Sequence, residues 1–425
     1  MRRILIVGGS TRAAADSVRR CGWDPICADL FADLDLRQTA DVIPVTNYPV
    51  SLPDDVAHVR ADGWFYCGAL ENHPGILNRM LTASASYGPL LGTSPHALKF
   101  VRDPEWLAAS LRTAGVSALD VASQSSAPLP DGTWMQKPLA GAGGRSIRVW
   151  DEVAARLPFR EPHYFQRRAS GVGLSAIFAV ENGHIEWLGA SRELEPNFAF
   201  QPLTDFAYCG SCGPLNRIPV DDNDSLAPRR QLESVSRTGQ LLRTPQGHDR
   251  DSIPVRGNVT DQTIVQRQLT MIAQSLVGNV AGLKGLIGLD FRLDDQTVWL
   301  TEVNPRYTAS VEVLELTSGR SFLNRNAFHR ATATQSVFDS RPLVIVKQIL
   351  YAANHMIAPD LSRYLAAEDP WQVPVIADIP MPGIVIEPGW PICTVLAGGE
   401  NLTVVRSRLC DRLALVQKVL SGNSR

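Results

Sequence analysis

Apolar residues in this chain come in short runs, and glycine, proline and charge set the breaks between them. From Arg2, "RRILIVGGSTRAAADSVRR" reads as a buried strand, a Gly-Gly turn and an alanine-rich helical stretch, and "WDPICADLF" follows as a second strand. A strand–helix–strand start implies a parallel sheet covered by helices. "GWFYCGAL" is a further strand running into "ENHPGILNRM", the start of a helix. From Ser94, "SPHALKFVRDPEWLAASLRTAG" reads as helix, with an Asp-Pro punctuation and a glycine stop at Gly115. "TWMQKPLAGAGGRSIRVW" gives strand, glycine-rich loop and strand. In "HYFQRRASGVGLSAIFAVENGHIEWLGASREL" antiparallel strands are joined by glycine turns, "ENGH" being a hairpin signal.

Residues 217–259 break this rhythm. They are polar, charged, proline-punctuated and free of aromatics, which predicts a long surface insertion. Helix returns at "TIVQRQLTMIAQSLVGNV" and leads into a hairpin, "GLIGLDFRLDDQTVWLTEVNPRYTAS". After about Pro342, Pro-Gly turns between short β runs predict a small β-rich C-terminal domain. The expected division is residues 1–95, 96–340 with the insertion, and 341–425.

Composition narrows the class. With 425 residues, 44% apolar and 20% charged, the chain is long enough for two or three domains with real cores. A net charge of −2 and no Lys/Arg run give no pull toward nucleic acid. No stretch suits a signal peptide or a membrane span, and seven cysteines point to reduced thiols and a cytoplasmic home. Cys209 and Cys212 form a lone CxxC, with no second pair and no nearby histidine to make metal or redox chemistry.

The hairpin carries the first chemistry. Asp290, Glu302 and Asn304 sit inside its apolar runs, and Arg306 follows directly. Side chains alternate along a strand, so Glu302 and Asn304 share a face. Asp290 joins them if the loop at 294–297 holds three residues; a two-residue loop reverses the parity. Phe291, Leu293, Trp299 and Val303 would then pack on the other face. Two carboxylates and an amide oxygen suit Mg²⁺, a hard cation that prefers oxygen ligands. The competing reading is a solvated face whose acids pair with Arg292 and Arg306.

A second element lies upstream. In "QKPLAGAGGRS", Lys137 ends a strand and is followed by Gly141, Gly143 and Gly144. Such glycines can turn successive N–H groups inward as an anion nest, with the lysine as a point charge. The order is not that of a P-loop, and a plain glycine hairpin turn accounts for the segment equally well on its own. "GGSTRA" at residues 8–13 could likewise present N–H groups, Thr11 and Arg12 to an anionic substrate, or be only a tight turn.

Taken together, the lysine–glycine loop and "TEVNPRYTAS" resemble the ATP-grasp superfamily. "GWFYCGALENHP", "WMQKPLAGAGG", "FAYCGSCGPL" and the C-terminal β run further resemble a bacterial group associated with methylofuran and methanopterin biosynthesis. The resemblance implies an α/β and α+β fold: a Rossmann-like preATP-grasp domain, a two-lobed ATP-grasp domain and the small β-rich domain. It implies ATP and Mg²⁺ (or Mn²⁺) as cofactors, and an enzyme that phosphorylates a carboxylate and lets an amine attack the acyl phosphate. The acid and amine it suggests are glutamate and a tyrosine- or tyramine-type amine, and it allows a homodimer. Lys137 and Arg306 then match the phosphate-stabilising residues, Gly141, Gly143 and Gly144 the mobile loop, and Gln166 and Arg167 the adenine hinge. Asp290, Glu302 and Asn304 match the metal ligands. Lys99 is the candidate for an earlier ATP lysine, and "FQRR" departs from the acidic hinge of many relatives. Thr11, Arg12, Glu71 and Asn72 are the expected substrate contacts, the last two equally readable as a helix cap. A carboxylase of the biotin-carboxylase or aminoimidazole ribonucleotide type, and a non-catalytic ATP-binding module, are the alternatives.

Overall fold

The computed structural model describes residues 1–194, 206–218, 262–323, 342–366, 369–420 and 422. Nearly all of the expected insertion at 217–259, from residue 219 on, lies outside them. The fold is mixed α/β, built on three main sheets.

The N-terminal sheet is four-stranded and wholly parallel. Strands Arg3–Gly8 and Asp24–Asp29 lie at its centre, with Asp41–Pro44 and Trp64–Tyr66 at its edges. Ile4 to Val7 are fully buried, as expected of a strand covered on both faces. The stretch from Ser94 forms two helices, Pro95–Val101 and Pro104–Thr113. Ser94 caps the first through Ala97 N, and Asp103 caps the second through Glu105 N and Trp106 N, so the Asp-Pro pair restarts the helix.

The middle of the chain makes two antiparallel sheets that face each other. The smaller has the order 121–123, 163–167, 131–138, 148–151 and carries the lysine–glycine segment. The larger has eight strands. Its edge is the hairpin Gly285–Asp294 and Thr297–Asn304, followed inward by Val172–Glu181 and His184–Glu193. Asn182 and Gly183 join these last two with φ values of 50° and 80°, the positive pair a tight hairpin turn needs.

Gly210–Gly213 continues the large sheet, and on it pair Val344–Tyr351 and then Pro391–Gly399. The strands expected of a separate C-terminal domain thus extend the central sheet. The physical reason is the edge at Gly210–Gly213, whose backbone groups would otherwise stay unpaired. One apolar core runs from Ala97 through Leu289 to Val419, and the helix Leu402–Leu420 closes it. No helix among the described residues is long and apolar enough to cross a membrane.

Candidate functional site

The acidic hairpin closes on a two-residue loop, Asp295 and Gln296, with Asp294 opposite Thr297. That loop alone would put Asp290 and Glu302 on opposite faces. A bulge corrects it: Phe291 pairs with Leu300 and Asp290 with Glu302, leaving Thr301 without a ladder partner. The extra residue restores the shared face of Asp290, Glu302 and Asn304. It also alters the core side, where Val298 and Leu300 pack with Phe291 and Leu293, while Trp299 pairs with Arg292 on the other face.

Two of the three side chains are tied to each other, and Glu302 is held by Arg102. Asn304 Nδ2 donates to Asp290 Oδ2 at 2.6 Å, and Arg306 Nη2 donates to Asn304 Oδ1 at 3.1 Å. Burial, with Glu302 opposite, pushes the Asp290 carboxyl up to about 6. Burial works the same way on Glu302, but Arg102 and then Lys137 outweigh it and hold that carboxyl below its usual value. Arg292 donates instead to Gly171 O and Arg306 to Glu71 at 2.7 Å. The competing reading paired these acids with Arg292 and Arg306, and both arginines hydrogen-bond elsewhere; Asn304 is buried and Asp290 and Glu302 are half-buried.

Facing this edge is the smaller sheet. Lys137, 9% exposed, donates to Gln166 Oε1 at 3.1 Å and to Thr301 O at 3.0 Å, so the unpaired bulge carbonyl is what the lysine grips. Lys137, Gln166, Gly141, Gly144, Thr301 and Glu302 line one cleft of about 690 Å³, open to solvent. Part of its wall is apolar, with Leu107, Leu111, Leu119, Val121 and Leu300. An apolar wall beside a few charged and polar groups suits a small ligand. Gly144 has φ of +73°, and a Cβ there would meet Phe206 O at 1.7 Å, so no other residue fits. Gly143 is not on the cleft wall, but its carbonyl accepts from Tyr208 N at 3.0 Å.

Several expected residues lie elsewhere. Alternation along His163–Arg167 turns Arg167 outward, where it bonds Thr133 Oγ1 and stacks over Trp134. Lys99 is exposed on its helix, and Arg102, three residues on, takes the place in the cleft. Thr11 gives its N–H and hydroxyl to Asp29. Arg12, 4% exposed, is spent on Glu312, Asp378 and Asp16, leaving no free fork for an anion. Glu71 and Asn72 do reach the site: Glu71 grips Arg306, and Asn72 bonds both Arg102 and Gly141 O. Neither caps a helix through its side chain.

Arg102 is the residue that sequence reasoning missed. It donates to Glu302 Oε1 at 2.5 Å, Asn72 Oδ1 at 2.9 Å and Gly141 O at 3.1 Å. The signal lies in "VRDPEW", where a helix must break and restart and so turns one cation inward.

Among the described residues no three His, Cys, Asp or Glu side chains group to hold a metal. A cation here would rest on two carboxylates and one amide. The set is all oxygen, and a bound Mg²⁺ would offset both the burial and the Glu302 charge that raise Asp290, so the residues fit a hard divalent ion. Cys209 and Cys212 are buried and unbonded to each other, with thiols pushed up by burial to about 11 and about 12.

Residues 106–310 match the sequence model of a family described as an ATP-grasp domain. The uncharacterized protein MJ0776 of Methanocaldococcus jannaschii is 28% identical over 139 residues, 32% of this chain and 32% of that protein. The match thus spans about a third of the relative's length. Phosphoribosylamine–glycine ligase from Thermotoga maritima is similar in structure at 13% identity, with 97% of this chain and 96% of that chain covered and a TM-score of 0.60. So is L-amino acid ligase from Bacillus licheniformis, at 12% identity, 97% of each chain and 0.60. Carboxyaminoimidazole ribonucleotide synthase from Aspergillus clavatus, complexed with ATP, gives 12%, 98% and 99%, and 0.60. At these identities the likeness is one of fold.

Proposed function

From the match of residues 106–310 to an ATP-grasp domain, we propose that this chain is an ATP-grasp enzyme, an ATP- and Mg²⁺-dependent ligase joining a carboxylate to an amine. The observation that carries the reading is the shared Asp290–Glu302–Asn304 face, Asn304 buried and both carboxylates half-buried, with Glu302 lining the same cleft as Lys137.

ATP would enter with adenine against the apolar wall and its phosphates toward Lys137, Arg102 and the glycine loop. Asp290, Glu302 and Asn304 would hold Mg²⁺ or Mn²⁺, which would supply positive charge to offset that of the phosphates. Lys137 and Arg306 would stabilise charge on the moving phosphoryl group from fixed positions. Glu71 keeps the Arg306 guanidinium aimed. The γ-phosphoryl passes to a carboxylate oxygen and ADP leaves. An amine nitrogen then attacks the acyl carbon, phosphate departs and the nitrogen gives up a proton. Closure of the glycine loop would keep water from the acyl phosphate. Such chemistry needs only small-molecule partners.

The first acid and amine to test are glutamate with tyramine or tyrosine. Purified protein with Mg-ATP is expected to release ADP and phosphate only when both an acid and an amine are supplied, and mass spectrometry should find the amide. Glu302→Ala should abolish turnover. AMP and pyrophosphate as products would overturn the reading; a requirement for bicarbonate would favour a carboxylase; ATP binding without any product would favour a binding module.

A further inference from the structure

The glycine loop, the acidic hairpin and the N-terminal domain meet at one pair of side chains. Asn72 lies just past the last strand of the parallel sheet, in the short 3₁₀ turn Leu70–Asn72. Its Nδ2 donates to Gly141 O at 2.9 Å, and its Oδ1 accepts from Arg102 Nη2 at 2.9 Å. Arg102 Nη2 also donates to Gly141 O at 3.1 Å, and Nη1 reaches Glu302 Oε1 at 2.5 Å. Both amide ends of Asn72 are therefore used on protein groups. Arg102 Nε is buried and has no hydrogen-bond partner.

We propose that Asn72 and Arg102 are positioning residues for the glycine loop, with Asn72 holding the loop rather than a substrate. Two donors, one from each residue, converge on the Gly141 carbonyl at the start of the loop. On the far side, Tyr208 N holds Gly143 O. The loop is thereby slung between two anchors, and only the first leads back to Glu302. A shift of Arg102 toward a bound phosphate would loosen its grip on Glu302 and Gly141 together, leaving Asn72 as the fixed point from which the loop closes. The N-terminal domain then sets the loop's position.

The loop arm of this inference is independent of the ligase reading; its kinetic arm rests on it. The test uses the full chain. In nucleotide-free protein, hydrogen exchange of the amides at 139–147 is compared between wild type, Asn72→Ala, Asn72→Asp and the exposed-site control Lys99→Ala. Asn72→Ala is expected to speed loop exchange about tenfold, the worth of one to two hydrogen bonds. Asn72→Asp, which keeps an acceptor for Arg102, should speed it less, and Lys99→Ala not at all. With substrates, Asn72→Ala should raise KM for ATP and leave KM for acid and amine unchanged. Loop exchange at the wild-type rate in both Asn72 variants would overturn the proposal. So would a raised KM for acid or amine with that for ATP unmoved. If wild type shows no turnover the ligase reading fails, while the exchange arm still decides this one.

Discussion

At the scale of single residues, the charges in this site are set by what each one faces. Lys137 has two fixed acceptors, Gln166 Oε1 and Thr301 O, so its ammonium is held at the cleft wall before any ligand arrives. Replacing it with methionine keeps the stem and removes the charge. Lys137→Met should lower kcat for ADP release by roughly 100-fold, the usual loss for one preorganised transition-state donor. A steady-state ADP assay checks it. The residue types were readable beforehand, because two carboxylates and an amide at alternating positions in apolar strands have few purely structural uses. Arg102 was not readable as part of the site: its partners are 30, 39 and 200 residues away along the chain.

The hairpin and the loop make their contributions as elements. The bulge at Thr301 both keeps the carboxylates on one face and leaves a backbone carbonyl out of the ladder for Lys137. Deleting Thr301 would leave Asp290 opposite Glu302 in a regular ladder and take away that acceptor. The fold should survive, and ATP affinity measured by calorimetry should fall. In the loop, Gly144→Ala must displace either the loop or Phe206 O, and the positive φ adds strain of about 1–3 kcal/mol. KM for ATP should rise at least about fivefold while the melting temperature changes little, since the segment is at the surface of the cleft. The alternation of apolar and polar residues fixed the hairpin's strands in advance. The loop length gave the wrong parity, because a bulge answers to its contacts across the cleft and leaves no mark in periodicity.

For the molecule as a whole, a buried charge network joins the N-terminal domain to the rest. Arg12 meets Glu312 and Asp378, Lys347 meets Glu312 at 2.8 Å, and Arg20 meets Glu315 at 2.7 Å. Glu312 is fully buried; burial alone would raise its carboxyl, but Arg12 and Lys347 hold it well below the usual value of 4.5. A depressed carboxylate contributes stability that is present above its unfolded value and is lost as pH falls toward its folded value. The melting temperature should therefore drop as pH goes below about 4.5, and Glu312→Gln should flatten that drop. Glu312→Ala, which strands two buried cations, should cost about 3–5 kcal/mol in denaturant unfolding. The same network explains why Arg12, placed at a turn that suits anion binding, serves the fold. By itself the sequence determined the elements and the chemistry on offer: strands, helix stops, turns, the lysine–glycine segment and the oxygen-bearing hairpin, all of which follow from local sterics and short-range periodicity. Tertiary structure alone decided which charge meets which, that the C-terminal strands complete the central sheet, and that Asn72 and Arg102 belong to the loop. Those outcomes depend on contacts between residues tens to hundreds of positions apart, where desolvation and geometry choose among partners that the sequence presents as equals.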